Sequence, residues 1–342
     1  MDYKIVFSIA VFIFVYLVIS LEWLNRATAA LFGASLILLF RIIPTKTAFI
    51  HIDLNVIILL ISMMIIVNIV RDTGMFQYVA IRTAKLAKGD PLRLILLLMI
   101  VTALLSAFLD NVTTILVLSP LSILIAVELR ISPLPFLITQ VIASNIGGTA
   151  TLIGDPPNLM IGYGTNLTFN DFLFNLGPLI VIIMFISLGL TLFLFRKKLA
   201  VHNENRARIM EFNDSEAITD RAFLTKSLVV LALVFAGFLL HDVLKIDPAA
   251  VALWGATILL FLSGDKPEHY FAEVEWITIF FFIGLFIMVG ALEETGVIET
   301  LGHALADFSG GNIGLASLSI IWGSGILLGF LDNIPFVATM IP

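Results

Sequence analysis

Cysteine is absent from this 342-residue chain, and charged residues are scarce, at 13% of the total. Without cysteine there are no structural disulfides, thiolate metal sites or thiol nucleophiles. The sequence also lacks a Gly-Lys-Ser/Thr phosphate loop, so ATP would have to act through a separate subunit. Apolar residues dominate, because 60% of the chain is hydrophobic and the mean hydropathy is +1.08. This composition predicts an all-α polytopic membrane protein whose main partner is the lipid bilayer and not nucleic acid.

Apolar runs long enough to cross a hydrocarbon layer recur along the chain. We expect membrane spans at residues 5–20, 27–43, 54–70, 172–195, 228–240, 249–262 and 276–292. Residues 71–93 differ, because apolar side chains recur at helical spacing on one face while Arg82, Lys85 and Lys88 take the other. That pattern predicts an interfacial helix. Residues 196–226 form the one long polar stretch, which we expect to be a solvated loop.

Residues 92–130 contain two apolar arms that meet at a polar tip. Asp110 and Asn111 occupy the tip, and Thr113 and Thr114 follow directly. This arrangement predicts a re-entrant hairpin, although two full spans is the competing interpretation.

Residues 134–164 contain a second polar interruption of an apolar run. It reads Ser144-Asn145-Ile146-Gly147-Gly148-Thr149-Ala150-Thr151-Leu152-Ile153-Gly154-Asp155-Pro156-Pro157-Asn158. The glycines weaken helical propensity and the two prolines remove backbone donors. At membrane depth, backbone groups freed in this way must be buried in protein or line a polar cavity. The motif therefore predicts a broken helix of the kind that transporters use to bind ions and substrates.

The chain also repeats itself at a constant offset of 222 residues. Phe108-Leu109-Asp110-Asn111 recurs as Phe330-Leu331-Asp332-Asn333, and Thr73-Gly74 recurs as Thr295-Gly296. We therefore expect a first repeat at residues 1–222 and a second at 223–342. The second copy stops before a return arm, a broken helix and a final span, so we expect it to be truncated, with roughly 100 further residues in a complete unit.

Orientation follows from the distribution of Lys and Arg. With the hairpin counted as re-entrant, Lys4, Arg41, Lys46 and Lys245 lie on one side, and the rest of the 19 basic residues lie on the other. The richer side is predicted to be cytoplasmic. The N-terminus is then outside, the 196–226 loop is cytoplasmic, and the second repeat is inverted relative to the first.

Polar residues in these motifs are the candidates for an ion or substrate site. They are Asp110, Asn111, Thr113, Thr114, Ser144, Asn145, Gly147, Gly148, Thr149, Thr151, Asp155, Asn158, Asp332 and Asn333. Each also has a structural interpretation, since Asp and Asn cap helices and small polar residues mediate helix packing. Ionisable groups inside membrane spans are costly, however, and usually mark ion or proton pathways. Carboxylate and amide oxygens suit Na⁺, for which the candidates are Asp110, Asn111, Asn145, Asp332 and Asn333.

The tip and the broken-helix motif together resemble a group of the citrate-transporter-like ion transporter superfamily. This group contains arsenite permeases, NhaD-type sodium–proton antiporters and the melanosomal P protein. The resemblance implies a homodimer in which a transport domain, built from two opposed hairpins and two broken helices, moves as an elevator against a scaffold. It implies no cofactor beyond a coupling ion such as Na⁺ or H⁺, and a separate ATPase subunit only for an arsenite pump. The second broken helix of that pattern is missing here.

Two classes of function are compatible with these features. Secondary transport accounts for the repeat, the hairpins and the broken helix together. An intramembrane aspartyl hydrolase would use two Asp residues as an acid/base pair, but Asp155 lacks the Gly-x-Gly-Asp context of such enzymes. Within transport, no Lys or Arg lies in the motifs to neutralise citrate, so a permease for a multivalent organic anion is disfavoured. An arsenite or other oxyanion permease stays an alternative, because the absence of cysteine removes thiol ligation but leaves hydroxyl hydrogen bonding open. We favour sodium–proton exchange.

Overall fold

The computed structural model describes residues 3–196, 206, 209–210, 214–264, 267–310, 312–328 and 333–341. Every regular element within these ranges is helical. The helices are α1 Tyr3–Ser20, α2 Arg26–Leu39, α3 Thr45–Ile50, α4 Leu54–Asp72, α5 Met75–Leu86, α6 Pro91–Ser106, α7 Asn111–Glu128, α8 Leu134–Gly148, α9 Pro156–Thr165, α10 Phe169–Phe195, α11 Arg221–Leu244, α12 Pro248–Ser263, α13 Pro267–Ala272, α14 Trp276–Glu294, α15 Val297–Ser309, α16 Ile313–Leu327 and α17 Asn333–Met340.

Six of these helices are long and apolar enough to cross a membrane. They are α1, α4, α7, α10, α11 and α14. A seventh candidate is the pair α15 and α16, which bends by 118°. The chain is therefore a multi-pass integral membrane protein with an all-helical fold, as its composition predicts. By length alone α7 could cross the membrane, whereas α6 is a shorter apolar helix of 16 residues.

The chain divides into two compact units. One comprises Met1–Ile61, Tyr163–Thr165 and Glu275–Pro342, and the other comprises Ser62–Gly162 and Asn166–Val274. In the first unit, α2 packs along α14. A side chain at Gly284 would collide with the backbone of Ala30, so the glycine allows the two helix backbones to approach closely. Arg26, at the start of α2, donates to the Thr278 hydroxyl over 2.8 Å.

The second unit is built around α6, α7 and α8. Leu94, Ile95, Leu98 and Met99 of α6 pack with Ile125 and Ala126 of α7, and with Phe136 and Ala143 of α8. All of these side chains are fully buried. Ala84 of the amphipathic helix α5 also packs in this core. The apolar arms therefore make one packed layer that fixes the positions of their polar ends.

Helix bounds recur at the offset found in the sequence. The 19-residue helices α4 and α14 begin at Leu54 and Trp276, and their first residues and their last residues are each 222 positions apart. The short helices α3 and α13 show the same offset. The two turns that follow the long helices are alike as well. Gly74 has φ of 81° and Gly296 has φ of 77°, a left-handed conformation that favours glycine.

The polar stretch at 196–226 is not solvated throughout. Ile209 is fully buried and joins the core that contains Ala84. Thr219 donates its backbone N–H to the Thr73 carbonyl over 3.1 Å. Helix α11 begins at Arg221, earlier than the span expected at 228, because Asp220 caps its first turn by accepting from the Ala222 and Phe223 amides.

Candidate functional site

The first half of the candidate site is the turn between α6 and α7. Helix α6 ends at Ser106 and α7 begins at Asn111. Asp110 is the N-cap of α7, and its carboxylate accepts from the Thr113 amide over 2.7 Å. The cap satisfies a backbone donor that would otherwise be orphaned at the helix start. One carboxylate oxygen of Asp110 is therefore structurally engaged, which corresponds to the structural interpretation of this residue.

The second half is the break between α8 and α9. Helix α8 ends at Gly148, and α9 begins at Pro156 with proline in its first turn, where no backbone donor is needed. A Cβ at Gly147 would collide with the Ala103 backbone, and one at Gly154 would collide with the Gly148 carbonyl. The glycines therefore let the break lie directly against the end of α6.

Hydrogen bonds connect the two halves. The Ser144 hydroxyl donates to the Asn111 carbonyl over 2.9 Å, and the Ser106 hydroxyl donates to the Ser144 carbonyl over 2.8 Å. Asn111 also donates its side-chain amide to the Asn145 side-chain oxygen over 3.2 Å. The tip and the break, which are 33 to 38 residues apart in the chain, thus form one polar site.

The unwound segment after α8 is fastened from both sides. The Thr151 hydroxyl, fully buried, donates to the Ala107 carbonyl at the end of α6. Asn158 donates its side-chain amide to the carbonyls of Gly148, over 3.1 Å, and Thr151, over 2.8 Å. The Asn158 amide nitrogen therefore holds the break in shape by satisfying carbonyls that the interrupted helix leaves unpaired.

The remaining candidates occupy different positions. Thr113 and Thr114 are buried in the first turn of α7. Thr149 is exposed, and its hydroxyl donates to the Asn145 carbonyl one turn earlier over 2.8 Å. Asp155 is the half-buried residue that precedes α9. In the other unit, Asn333 is the exposed first residue of α17, and Asp332 lies outside the described residues.

Several buried polar groups beside this site have no partner within the described residues. Gln140 is fully buried, and neither its amide nitrogen nor its amide oxygen is hydrogen-bonded there. The buried hydroxyls of Thr102 and Thr114 are in the same situation. Gln140 and Thr102 lie one helical turn before Ser144 and Ser106, which are in contact with each other. Buried polar groups without a hydrogen-bond partner lower the free energy of unfolding, and a bound water, ion or polar ligand at these positions would satisfy them.

The charge of the site is negative. Asp110 is the sole charged residue of the segment 94–127, and Asp155 is the sole charged residue of 131–170. The C-terminal end of α8 adds the partial negative charge of the helix dipole. Carboxylate, amide, hydroxyl and carbonyl oxygens in such a setting can bind a hard cation, and a carboxylate can exchange a proton.

Sequence reasoning missed Ser106, Ala107 and Gln140. Ser106 is the central donor between tip and break, but a serine in an apolar helix is ordinarily a packing residue. Ala107 acts through its backbone carbonyl, which no side-chain pattern could indicate. Gln140 had a detectable signal, because an uncharged amide four residues before Ser144 extends the same helical face.

A second cluster of ionisable groups lies at the end of α4. Asp72, His269 and Glu273 place one oxygen or nitrogen each within 4.8 Å of one another. Arg71 pairs with both carboxylates, at 2.5 Å from Glu273 and 3.5 Å from Asp72, and so offsets part of their charge. We therefore describe this cluster as an ion-pair network and not as a metal site.

Comparisons with known proteins agree with a transport role. The family model CitMHS, described as citrate transporter, matches residues 16–342. The 46 kDa membrane protein of Mycobacterium leprae is 46% identical over 98% of this chain and 80% of its own length. An uncharacterized transporter of Mycobacterium tuberculosis strain H37Rv is 44% identical over 98% of this chain and 79% of its own. The P protein of Sus scrofa is 30% identical over 96% of this chain, but that match spans 48% of the P protein.

Proposed function

The chain belongs to the CitMHS family of membrane transporters. On that premise we propose that it is a secondary transporter of a small inorganic ion, and that it exchanges Na⁺ for H⁺. The observation that carries this proposal is the hydrogen bond from Ser144 to the Asn111 carbonyl. It joins a capped tip to an unwound helix, in the segments 94–127 and 131–170, whose sole charged residues are Asp110 and Asp155. Family and relatives indicate a transporter rather than an enzyme, so the aspartyl hydrolase interpretation is dropped.

The ion site of this proposal uses oxygen atoms of both halves. Asp110, Asn111 and Asn145 supply carboxylate and amide oxygens for Na⁺, and Asp155 exchanges the proton. Ser144, Thr113, Thr114, Thr149 and Thr151 surround them with hydroxyls, and Gly147, Gly148 and Asn158 shape the break. Asp332 and Asn333 begin the equivalent half-site of the second repeat.

Duplication and inversion belong to the same proposal. Support comes from the shared offset of α4 and α14, of α3 and α13, and of the left-handed turns at Gly74 and Gly296. An odd number of crossings per repeat makes the copies antiparallel in the membrane. In the proposed homodimer, the transport domain of each protomer moves as an elevator against a scaffold and carries the polar site across the membrane. The N-terminus is outside, and the 196–226 loop is in the cytoplasm.

Substitution of the two carboxylates tests the site. Asparagine caps a helix about as well as aspartate, so Asp110→Asn removes the charge and keeps the cap of α7. We expect Asp110→Asn and Asp155→Asn each to abolish sodium-driven proton exchange by the full-length protein in proteoliposomes, while thermal unfolding stays unchanged. Asp242→Asn, at an exposed pair with Lys245, is the matched control. Wild-type exchange in either site variant would refute the assignment.

Citrate is the second candidate substrate, because the family description names it. Its charge would have to be compensated by backbone dipoles and bound cations alone, against Asp110 and Asp155. Arsenite is the third, since its neutral acid needs hydroxyl partners and no thiolate. The test follows the pH inside everted vesicles with a pH-sensitive dye while Na⁺, Li⁺ and K⁺ are added in turn. Citrate uptake and arsenite resistance are measured in parallel. A cation-evoked pH change supports exchange, whereas citrate uptake without one would replace the proposal.

A further inference from the structure

An apolar cavity of about 520 Å³ lies between α6, α8 and α10. We call it the lateral groove. Its walls include Ile100 and Leu104 of α6, Ile146 of α8, and Phe174, Gly177 and Val181 of α10. This volume lies within the range of about 300–1,000 Å³ that is usual for ligand pockets. The groove adjoins the polar site, because Gly147 and Thr151 of the break also line the groove.

The lining offers almost nothing to a polar ligand. Thr151 carries the sole polar side chain among the lining residues, and its hydroxyl is already donated to the Ala107 carbonyl. The other lining side chains are aliphatic or aromatic, or are glycine and proline. An occupant must therefore be apolar where it touches the groove, because polar groups that are buried without partners are costly.

The rim of the groove continues into a surface that faces lipid. Helix α10 has 27 residues and is one of the candidate membrane spans, yet only 6% of the residues in its apolar stretch are buried. Phe174 on the rim is 71% exposed, and Phe185 further along α10 is 70% exposed. Leu104, on the opposite wall, is 61% exposed. At hydrocarbon depth the medium in contact with such side chains is lipid acyl chain and not water.

From these observations we propose that the lateral groove binds an acyl chain of a membrane lipid. The chain fills the space between α10 and the two helices that form the polar site, and it contacts Ala107 and Thr151 on its inner wall. Because the Thr151–Ala107 hydrogen bond fastens the break to the end of α6, the lipid supports that contact from the apolar side. This site goes beyond the proposed function and does not depend on which ion is carried.

Two glycines of α10 make a matched test. Gly177 lines the groove, and a Cβ there would meet only Leu173, at 3.9 Å, so the first side-chain carbon of Gly177→Leu fits without a clash. Gly189 has nothing within 4 Å of an added Cβ and does not line the groove. Gly189→Leu therefore makes the same glycine-to-leucine change outside the groove, although leucine gains less helix propensity at 177 because Pro178 follows it.

The experiment is photolabelling of the full-length protein in liposomes that contain a phospholipid with a diazirine on its acyl chain. Labelled peptides are mapped by mass spectrometry. We expect labelling at 100–108 and 173–184 in the wild type and in Gly189→Leu, and loss of most of it in Gly177→Leu, with a cooperative thermal unfolding transition retained in both variants. Unchanged labelling in Gly177→Leu would overturn the proposal. Absence of labelling in the wild-type groove would also overturn the proposal. If a second copy of the chain covers the groove instead, an intermolecular cross-link from position 174 will form.

Discussion

Arg71 donates to the Glu273 carboxylate over 2.5 Å, and the positions 222 residues away repeat this contact with the acidic and basic residue types exchanged. Glu293 is the counterpart of Arg71, His51 is the counterpart of Glu273, and these two lie 3.5 Å apart. Each contact joins the end of one of the long helices α4 and α14 to the residue that follows one of the short helices α13 and α3. Acid and base have changed places while the contact is kept, which supports a duplication followed by divergence.

The first prediction reverses the charge at one of these contacts. Arg71→Glu places two carboxylates together and should lower the free energy of unfolding by about 1 kcal/mol, the upper end for a partly exposed pair. The double variant Arg71→Glu with Glu273→Arg should recover most of that loss. Thermal unfolding in detergent measures both. Lys245→Glu, at an 81% exposed side chain, is the control and should change little. Failure of the double variant to recover would mean that the pair contributes nothing.

The second prediction concerns the close approach of α8 to α6. Gly147→Ala forces a Cβ into the Ala103 backbone, which cannot move as a flexible side chain could. We expect a loss of thermal stability together with a loss of transport, because the polar site is fastened across this approach. Gly189→Ala, with open space around its Cβ, should be neutral or stabilising by up to about 1 kcal/mol from helix propensity. Equal behaviour of the two variants would contradict the packing argument.

Five of the seven expected spans correspond to long apolar helices, because a membrane allows few solutions, whereas 27–43 and 249–262 correspond to the shorter apolar helices α2 and α12. A run of apolar residues must become a helix there, and so α14 was expected at 276–292 and is found at Trp276–Glu294. Caps were readable for the same reason, since Asp110 stands before an apolar run and a backbone donor needs a partner. Short helices such as α3 were not expected, because six residues give too little periodicity to detect.

Contacts within the site were less predictable than its composition. The sequence indicates that Ser144 and Asn111 are polar residues within apolar segments, but not that the hydroxyl of one reaches the carbonyl of the other. Asn158 illustrates the limit. A side-chain amide can bind a ligand or satisfy backbone carbonyls, and only the fold places the carbonyls of Gly148 and Thr151 beside it. The burial of Ile209 in a charged stretch was hidden for a similar reason.

The third prediction follows from those two carbonyls. Asn158→Asp replaces a donor by a carboxylate oxygen that repels both carbonyls in a buried setting. We expect destabilisation of about 1–3 kcal/mol, the cost of leaving buried acceptors unpaired, and loss of transport. Asn175→Asp is the matched control, because Asn175 donates to a carbonyl of its own helix at an exposed position. Thermal unfolding and proteoliposome assays compare the two. Full stability of Asn158→Asp would show that the amide does not hold the break.

The last prediction concerns pH and the docking of the polar stretch onto α5. Lys85 donates to Asp214 over 2.8 Å and Arg82 lies 3.3 Å from its other oxygen. The hydrogen bond from Lys85, together with the charges of Lys85 and Arg82, lowers the pKa of Asp214 below its ordinary value of 3.8. A carboxyl group whose pKa is lowered by folding stabilises the folded state above its ordinary pKa, and this contribution disappears as the pH falls through the lowered value.

Docking of residues 214–219 should therefore be constant between pH 5 and 8 and weaken only on stronger acidification. Asp214→Asn removes the charge and should loosen the segment equally at both pH values. Hydrogen-exchange protection factors at Thr219, whose amide donates to the Thr73 carbonyl, measure the docking directly. Asp242→Asn, at the exposed pair with Lys245, should leave them unchanged. A loss of protection in the unsubstituted protein between pH 8 and pH 5 would contradict the assignment, because no carboxylate with a lowered pKa titrates in that interval.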